Sequence, residues 1–278
     1  MIQLGKLNQL EVLKEVDFGM YLDGGEDEIL LPQKYIPEKT QVGDLLSVFI
    51  YRDSEDRLIA TTQQPLAYVG DLAYLKVVDT NQYGVFLDWG LLKDLFVPFS
   101  EQNKKMVVGN YYVVKVIIDE QTDRIIASAR IERFLKYIPE GLVENQAVEL
   151  LPFEYTDLGV KTVINGEFLG VLYHNEVFKP VPLGAPIKGY IKKLRSDQKV
   201  DVSLTKSGYE EVLDSKEELW KKLNEYKGYL PLTDKSEPEA IYALVQMSKK
   251  NFKKAVGGLF KERKITLQED GIYLLSDE

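Results

Sequence analysis

From Leu7 to Ser203 the chain is written in short runs where apolar and polar positions alternate, separated by Gly, Asp, Asn and Pro. A period of two, with Val, Ile, Tyr and Phe enriched, predicts half-buried strands joined by tight turns. After Ser207 the period lengthens to near 3.6, which predicts helices.

The strand region repeats itself three times, over residues 16–62, 81–129 and 156–205. Each copy opens on Phe18-Gly19, Tyr83-Gly84 or Leu158-Gly159 and continues into a short strand and a turn. A strand ending in LLP, FVP or VLY follows, then Gly43, Gly109 or Gly184, then a longer run (LLSVFIY, YYVVKVII, APIKGYI). A polar turn leads to RLIATT, RIIASA or KVDVSLT, and LGKLNQLEVLKEV, LAYLKVVDT or QAVELLPFEYT lies upstream. Five short strands per copy predict a closed sheet, because closure removes the edges that such strands would expose. The opening glycine reads as a mid-strand residue at a tight bend.

In the helical segment, DSKEELWKKLNEYKGYLPL ends near Gly228 and Pro238 opens PEAIYALVQM. Ser248 caps KKNFKKAVGGLFKERK, and ITLQEDGIYLL turns at Asp270-Gly271. Phe252, Val256, Leu259 and Phe260 form one apolar stripe assigned to a core. Two helices, a basic helix and a hairpin follow the order of a winged-helix domain. The expected fold is mainly β with an α+β C-terminus: three tandem five-stranded barrels of the oligonucleotide-binding (OB) type, then a winged helix. The expected domains are 1–64, 65–137, 138–206 and 207–278.

Composition narrows the chemistry. The 278 residues include no Cys and one His, His174, which excludes disulfides, thiolate metal sites and multi-histidine centres. No apolar run reaches the roughly 18 residues of a membrane span, and MIQLGKLNQLEV lacks the build of a signal peptide. A soluble cytoplasmic protein is expected, with no membrane partner. No GxxxxGK[ST] or GxGxxG motif stands at a strand–helix junction, so no cofactor is expected. Asp53, Asp56, Asp119 and Asp123 could hold Mg²⁺ in a nuclease, but no second cluster completes a two-metal site. His174 reads as structural or solvent-facing. The expectation is a protein that is not an enzyme and carries no metal.

The net charge of −9 is uneven: −6 over residues 1–137, −1 over 138–206 and −2 over 207–278. KGYIKKLRSDQKVDVSLTK, residues 188–206, holds six basic and two acidic residues, with Tyr190, Lys192, Lys193, Arg195 and Lys199 around one hairpin. The third helix carries Lys249, Lys250, Lys253, Lys254 and Lys261, with Arg263 and Lys264 just beyond, against Glu262. Both are phosphate-track candidates, and both are also compatible with ordinary solvated faces.

FGMYLDGGEDEILLP followed by GD and IYRDSEDRLIAT resembles the RNA-binding motif named for ribosomal protein S-one. Three such copies followed by a helical tail resemble, over essentially the whole chain, the conserved virulence factor B family. The resemblance implies an RNA face with aromatic positions at Phe18 and Tyr21 and at Tyr83 and Phe86, replaced by Leu158 and Lys161 in the third copy. The motif's usual His falls on Pro32, Pro98 and Tyr173, and its Asp…Arg pair on Asp53…Arg57, Asp119…Arg124 and Arg195…Lys199. Single-stranded RNA is the implied partner, with the ribosome or other proteins as further ones. The implied role is post-transcriptional control of gene expression, including virulence factors.

Rings on adjacent strands can stack on unpaired bases. Strict alternation puts Phe18 and Tyr21, or Tyr83 and Phe86, on opposite faces, so a bend or bulge at the glycine must bring them together. The alternative is that these rings are core. The basic residues place the RNA-active part in the third barrel and C-terminal domain. A protein-interaction scaffold of the translation or transcription machinery, or a metal-dependent nuclease, are the competing functions.

Overall fold

The computed structural model describes residues 2–174, 177, 180–206 and 209–275, the side chains of 209–214 excepted. The first closed barrel comprises β1 (Leu7–Val16), β2 (Gly19–Asp23), β3 (Glu28–Pro32), β4 (Leu45–Arg52) and β5 (Leu58–Thr61). The second comprises β6 (Leu72–Thr80), β7 (Gly84–Asp88), β8 (Leu95–Pro98), β9 (Tyr111–Ile118) and β10 (Ile125–Ser128). The third comprises β11 (Ala147–Thr156), β12 (Gly159–Ile164), β13 (Phe168–Tyr173), β14 (Ile187–Leu194) and β15 (Val200–Ser203). All three close in one order: the first strand pairs with the second and fourth, and the third runs parallel to the fifth.

The repeated glycines open β2, β7 and β12 rather than sitting mid-strand. A Cβ at Gly19, Gly84 or Gly159 would lie 2.3, 2.2 or 2.2 Å from the carbonyl oxygen of Leu31, Val97 or Leu172. Two backbones pass too closely there for any side chain. The expected bulge exists, but in the preceding strand: register slips at Val12/Lys14, Val77/Asp79 and Pro152/Glu154. Phe18 and Tyr83 precede their strands in turns and so lie outside the alternation.

The chain divides into two compact units, 1–134 and 135–278. In the first unit the two barrels share a core. Val48, Phe49, Ile50 and Tyr51 of β4 are all buried, because Val48 and Ile50 fill the first barrel while Phe49 and Tyr51 join the second barrel's cluster. Phe49 meets Trp89 and Tyr68 edge-on, at ring-centroid distances of 5.7 and 5.9 Å. The corresponding strand of the third barrel, β14, keeps its alternation, with Gly189 and Ile191 buried and Lys188 and Lys192 exposed.

The C-terminal segment folds as α1 (Tyr209–Glu225), β16 (Tyr229–Leu230), α2 (Pro238–Val245), α3 (Lys249–Lys261), β17 (Ile265–Leu267) and β18 (Ile272–Leu274). Beyond α1, Gly228 takes a left-handed φ of +88° and donates its N–H to the Leu223 carbonyl, so the chain turns back sharply. Pro238 stands in the first turn of α2, and the Ser248 side chain accepts the Asn251 N–H at 3.0 Å to cap α3. Phe252, Val256 and Leu259 are buried with Leu219, Leu223, Ile241 and Ile272.

Phe260 departs from its assigned core position and is 52% exposed. Ala255 completes the buried stripe instead. Phe260 follows Lys249 by eleven residues and Lys253 by seven, spacings that return a helix to the same face. Of the paired glycines in α3, Gly258 faces the Lys216 side chain of α1, whereas Gly257 has nothing within 4 Å. Among the described residues no helix is long and apolar enough to cross a membrane.

Candidate functional site

Because all three barrels share one register, corresponding outer rows across the first, second, third and fifth strands compare directly. In the first barrel the row is Lys14, Tyr21, Leu30 and Ile59. Phe18, 57% exposed, meets Tyr21 edge-on at 6.3 Å, and the Lys14 ammonium lies 4.9 Å from the Tyr21 ring centre. Lys14 also pairs with Glu28. The turn and the strand therefore bring both rings to one surface beside a cation. Arg57 binds Asp53 through Nε and Nη2 at 3.0 and 2.8 Å. Burial pushes the Asp53 carboxyl up, but these bonds outweigh it and hold the group below its ordinary range.

In the second barrel the row is Asp79, Phe86, Phe96 and Ile126. An acid replaces the lysine, and two half-buried rings lie 5.2 Å apart. Tyr83, 66% exposed, sits in a turn whose N–H groups are taken by Asn81 Oδ1. Arg124 does not pair with Asp119; it reaches the first barrel's β4–β5 turn and binds Asp56 through two bonds of 3.1 Å. Those bonds hold the Asp56 carboxyl below its usual range. Lys93 donates to the carbonyls of Arg52 and Asp53, and Arg52 to those of Asp56 and Asp123. A cleft of about 540 Å³ lies between this turn and the second barrel's row.

The third row is Glu154, Lys161, Val171 and Asp201. It has no ring, and Lys161 faces Glu154 at 3.4 Å. The basic residues predicted here fall into two groups. Lys188, Tyr190 and Lys192 line the outer side of β14, with Lys188 5.6 Å from the Tyr190 ring centre. Lys193 follows the strand's register slip and is exposed. Arg195 and Lys199 lie about the β14–β15 turn, both paired with Asp197, and Arg195 donates to the Tyr173 hydroxyl at 3.0 Å. His174 Nε2 lies 2.8 Å from the Thr156 carbonyl oxygen.

The cations of α3 run along the helix on the solvent side that also carries Phe260. Lys250, Lys253 and Lys261 are exposed and Lys249 and Lys254 half-buried, with the open Gly257 between them. The first turn holds Lys249 and Lys250 and no acid. Cations there oppose the helix dipole at a cost of about 0.3–1 kcal/mol each, which a bound anion would offset. Lys264 lies 5.4 Å from the Trp220 ring centre and pairs with Glu262, which also binds Lys216; Arg263 is exposed.

Sequence reasoning misplaced Phe260, and it passed over Phe96, Lys93 and Asp94, which line the cleft. The FVP run pointed to a strand, but only pairing reveals that Phe96 stands beside Phe86. Of the nuclease candidates, Asp53 and Asp56 hold arginines and Asp119 accepts from Thr122. Among the described residues no three His, Cys, Asp or Glu side chains gather to hold a metal ion.

The S1 domain family model matches residues 4–63, and the CvfB-like winged helix domain model matches residues 217–274. The chain is 29% identical to YitL of Bacillus subtilis, covering 96% of this chain and 92% of that protein. It is 27% identical to conserved virulence factor B of Staphylococcus saprophyticus, covering 89% and 86%. A solved structure of a multidomain protein with nucleic acid binding domains from Streptococcus pneumoniae aligns over 98% of both chains, at 23% identity and a TM-score of 0.44.

Proposed function

We propose that this chain, which belongs to the conserved virulence factor B family, is a non-catalytic RNA-binding regulator that grips single-stranded RNA mainly through its third barrel and winged helix. Its role on this reading is post-transcriptional control of gene expression, in the cytoplasm. The four domains are 1–64, 65–137, 138–206 and 207–278, and linkage lets individually weak sites sum.

The observation that carries the reading is the face of α3, where Lys249 and Lys253 share a face with an exposed Phe260, Lys261 follows it, and Gly257 leaves open space. Lysines neutralise phosphates without reading sequence, and a ring among them offers a surface on which an unpaired base can stack. The Lys188–Tyr190–Lys192 line on β14 supplies the same pairing of charge and ring. Phe18, Tyr21 and Lys14 offer a third such place, although the acidic surroundings of the first two barrels weaken any hold on a phosphate chain.

The test is titration of the full chain with a single-stranded RNA at several salt concentrations. Affinity should fall linearly on a log–log plot as salt rises. No binding at low salt, or an affinity indifferent to salt, returns the protein to the scaffold reading. Within this test Phe260→Ala should lower single-strand affinity about 5- to 100-fold, the value of one stacked base. A duplex of the same sequence should be held equally by both forms. Equal single-strand affinity of both forms removes Phe260 from the interface.

A further inference from the structure

We infer that the second barrel holds single-stranded RNA on the outer face of β6 and β9, away from the motif row, where Tyr74 and Tyr111 take bases and Lys76 and Lys115 take phosphates. This rests on the reading that the chain grips single-stranded RNA, and it adds a face that the motif does not mark.

Three cross-strand rows make the face: Leu72 with Lys115, Tyr74 with Val113, and Lys76 with Tyr111. Tyr74 and Tyr111 are 41% and 51% exposed, with ring centres 5.3 Å apart. Lys76 and Lys115 stand at opposite corners, four residues apart along the strands, or roughly 13 Å at the usual strand rise. Neither ammonium has a hydrogen-bond or ion-pair partner among the described residues. Two rings between two cations match a chain in which flat bases and phosphates alternate.

The first barrel lacks this arrangement. Its matching rows are Leu7 with Phe49, Gln9 with Ser47, and Glu11 with Leu45. Phe49 there is the ring that seats the first barrel on the second. In the second barrel Lys115 holds the register position of Phe49, Lys76 that of Glu11 and Tyr74 that of Gln9. Val78, Val107 and Val108 are exposed close by in the chain, so an apolar protein surface is the competing occupant. Such a surface would strip water from both ammoniums and give them no partner. A polyanion gives each a phosphate.

The acids of this barrel are directed elsewhere. Asp79 stands in the motif row and Asp94 lines the cleft beside it. Asp88 lies across from Lys76 on β7, but its carboxylate accepts the Gly90 N–H at 3.0 Å; Asp71, just before β6, accepts the Tyr68 N–H at 2.9 Å. The same face of the third barrel carries Tyr190 across from Ala147 and Lys188 across from Glu149, so ring and cation recur there. In both barrels the motif row is the poorer ground for a phosphate chain, holding Asp79 in one and the Glu154–Lys161 pair in the other.

The test uses the full chain and a labelled single-stranded RNA, with circular dichroism checking each variant's fold. Replacing Tyr74 and Tyr111 together with alanine should lower affinity about 5- to 100-fold, the value of one stacked base. Replacing both with phenylalanine should preserve affinity. Lys76→Ala with Lys115→Ala should shrink the slope of log affinity against log salt by about 0.7 for each phosphate released. RNA carrying 4-thiouridine, crosslinked to the unaltered chain and mapped by mass spectrometry, should mark the peptides that contain Tyr74 or Tyr111. Binding that both pairs of alanine variants leave unchanged, or crosslinks confined to the motif rows, the third barrel and α3, overturns the inference and leaves the proposed function standing. A chain that binds no single-stranded RNA at low salt overturns both.

Discussion

Replacing Lys249, Lys250, Lys253 and Lys254 together with alanine should cut the full chain's affinity for single-stranded RNA by about 10- to 100-fold at roughly 0.1 M salt. The slope of log affinity against log salt should shrink by about 0.7 for each phosphate that is no longer neutralised. Two opposite effects make this variant informative. Binding loses charge, but helix formation is favoured: alanine is a better helix former than lysine, and removing cations from the first turn of α3 relieves their conflict with the helix dipole. None of the four is fully buried, and the Ser248 cap remains. The thermal midpoint should therefore hold or rise slightly while affinity collapses. Fluorescence anisotropy with labelled RNA, beside thermal denaturation followed by circular dichroism, reads both quantities. An unchanged slope would show that α3 meets no phosphate, whatever the affinity does.

The barrels and the winged helix were legible because their signals are local and repeated. A triplicated order of strand, glycine, strand and turn left few alternatives to a closed sheet, and Pro238, Ser248 and Gly228 each marked a helix boundary through their own backbone chemistry. The surfaces were less legible, because exposure depends on what packs opposite. Phe18 and Tyr21 stand three apart, which misleads only if both are in the strand; Phe18 is in the turn. Phe260 fits the apolar stripe by spacing, but the partner helix and sheet are satisfied by Ala255, Val256 and Leu259. Arg124 fits a motif pairing it with Asp119, yet its partner is Asp56, 68 residues away. No local pattern could have disclosed that.

The three outer rows also explain why the motif copies are unequal. Position for position, Lys14, Asp79 and Glu154 stand beside Tyr21, Phe86 and Lys161. The first row combines a cation and a ring, the second an acid and two rings, the third an ion pair and no ring. One barrel geometry thus supports three electrostatic surfaces, and the loss of a family residue in one copy does not predict its neighbour's chemistry.

The largest loss of stability should come from Phe49→Ala. Phe49 is fully buried and points out of its own barrel into the second, against Tyr51, Tyr68 and Trp89. Truncating a buried phenylalanine costs about 3–5 kcal/mol, the transfer free energy plus the cavity left behind. The β4 run VFIY already carries this message in the sequence: four consecutive apolar residues leave no polar face for water, so both faces must be covered. Phe49→Leu keeps most of the volume and should cost markedly less. In the Trp220→Phe background the Trp89 unfolding midpoint should drop by about 10 °C or more in Phe49→Ala. Trp220, followed in a Trp89→Phe background, belongs to the other compact unit and should keep its midpoint. A small shift at Trp89 would mean that the two barrels are held by the Asp56–Arg124 and Lys93 bonds rather than by a shared core. The Asp56–Arg124 pair is exposed, and exposed ion pairs of this kind contribute only about 0–1 kcal/mol. The aromatic cluster, not the charges, should therefore fix the cleft between the barrels.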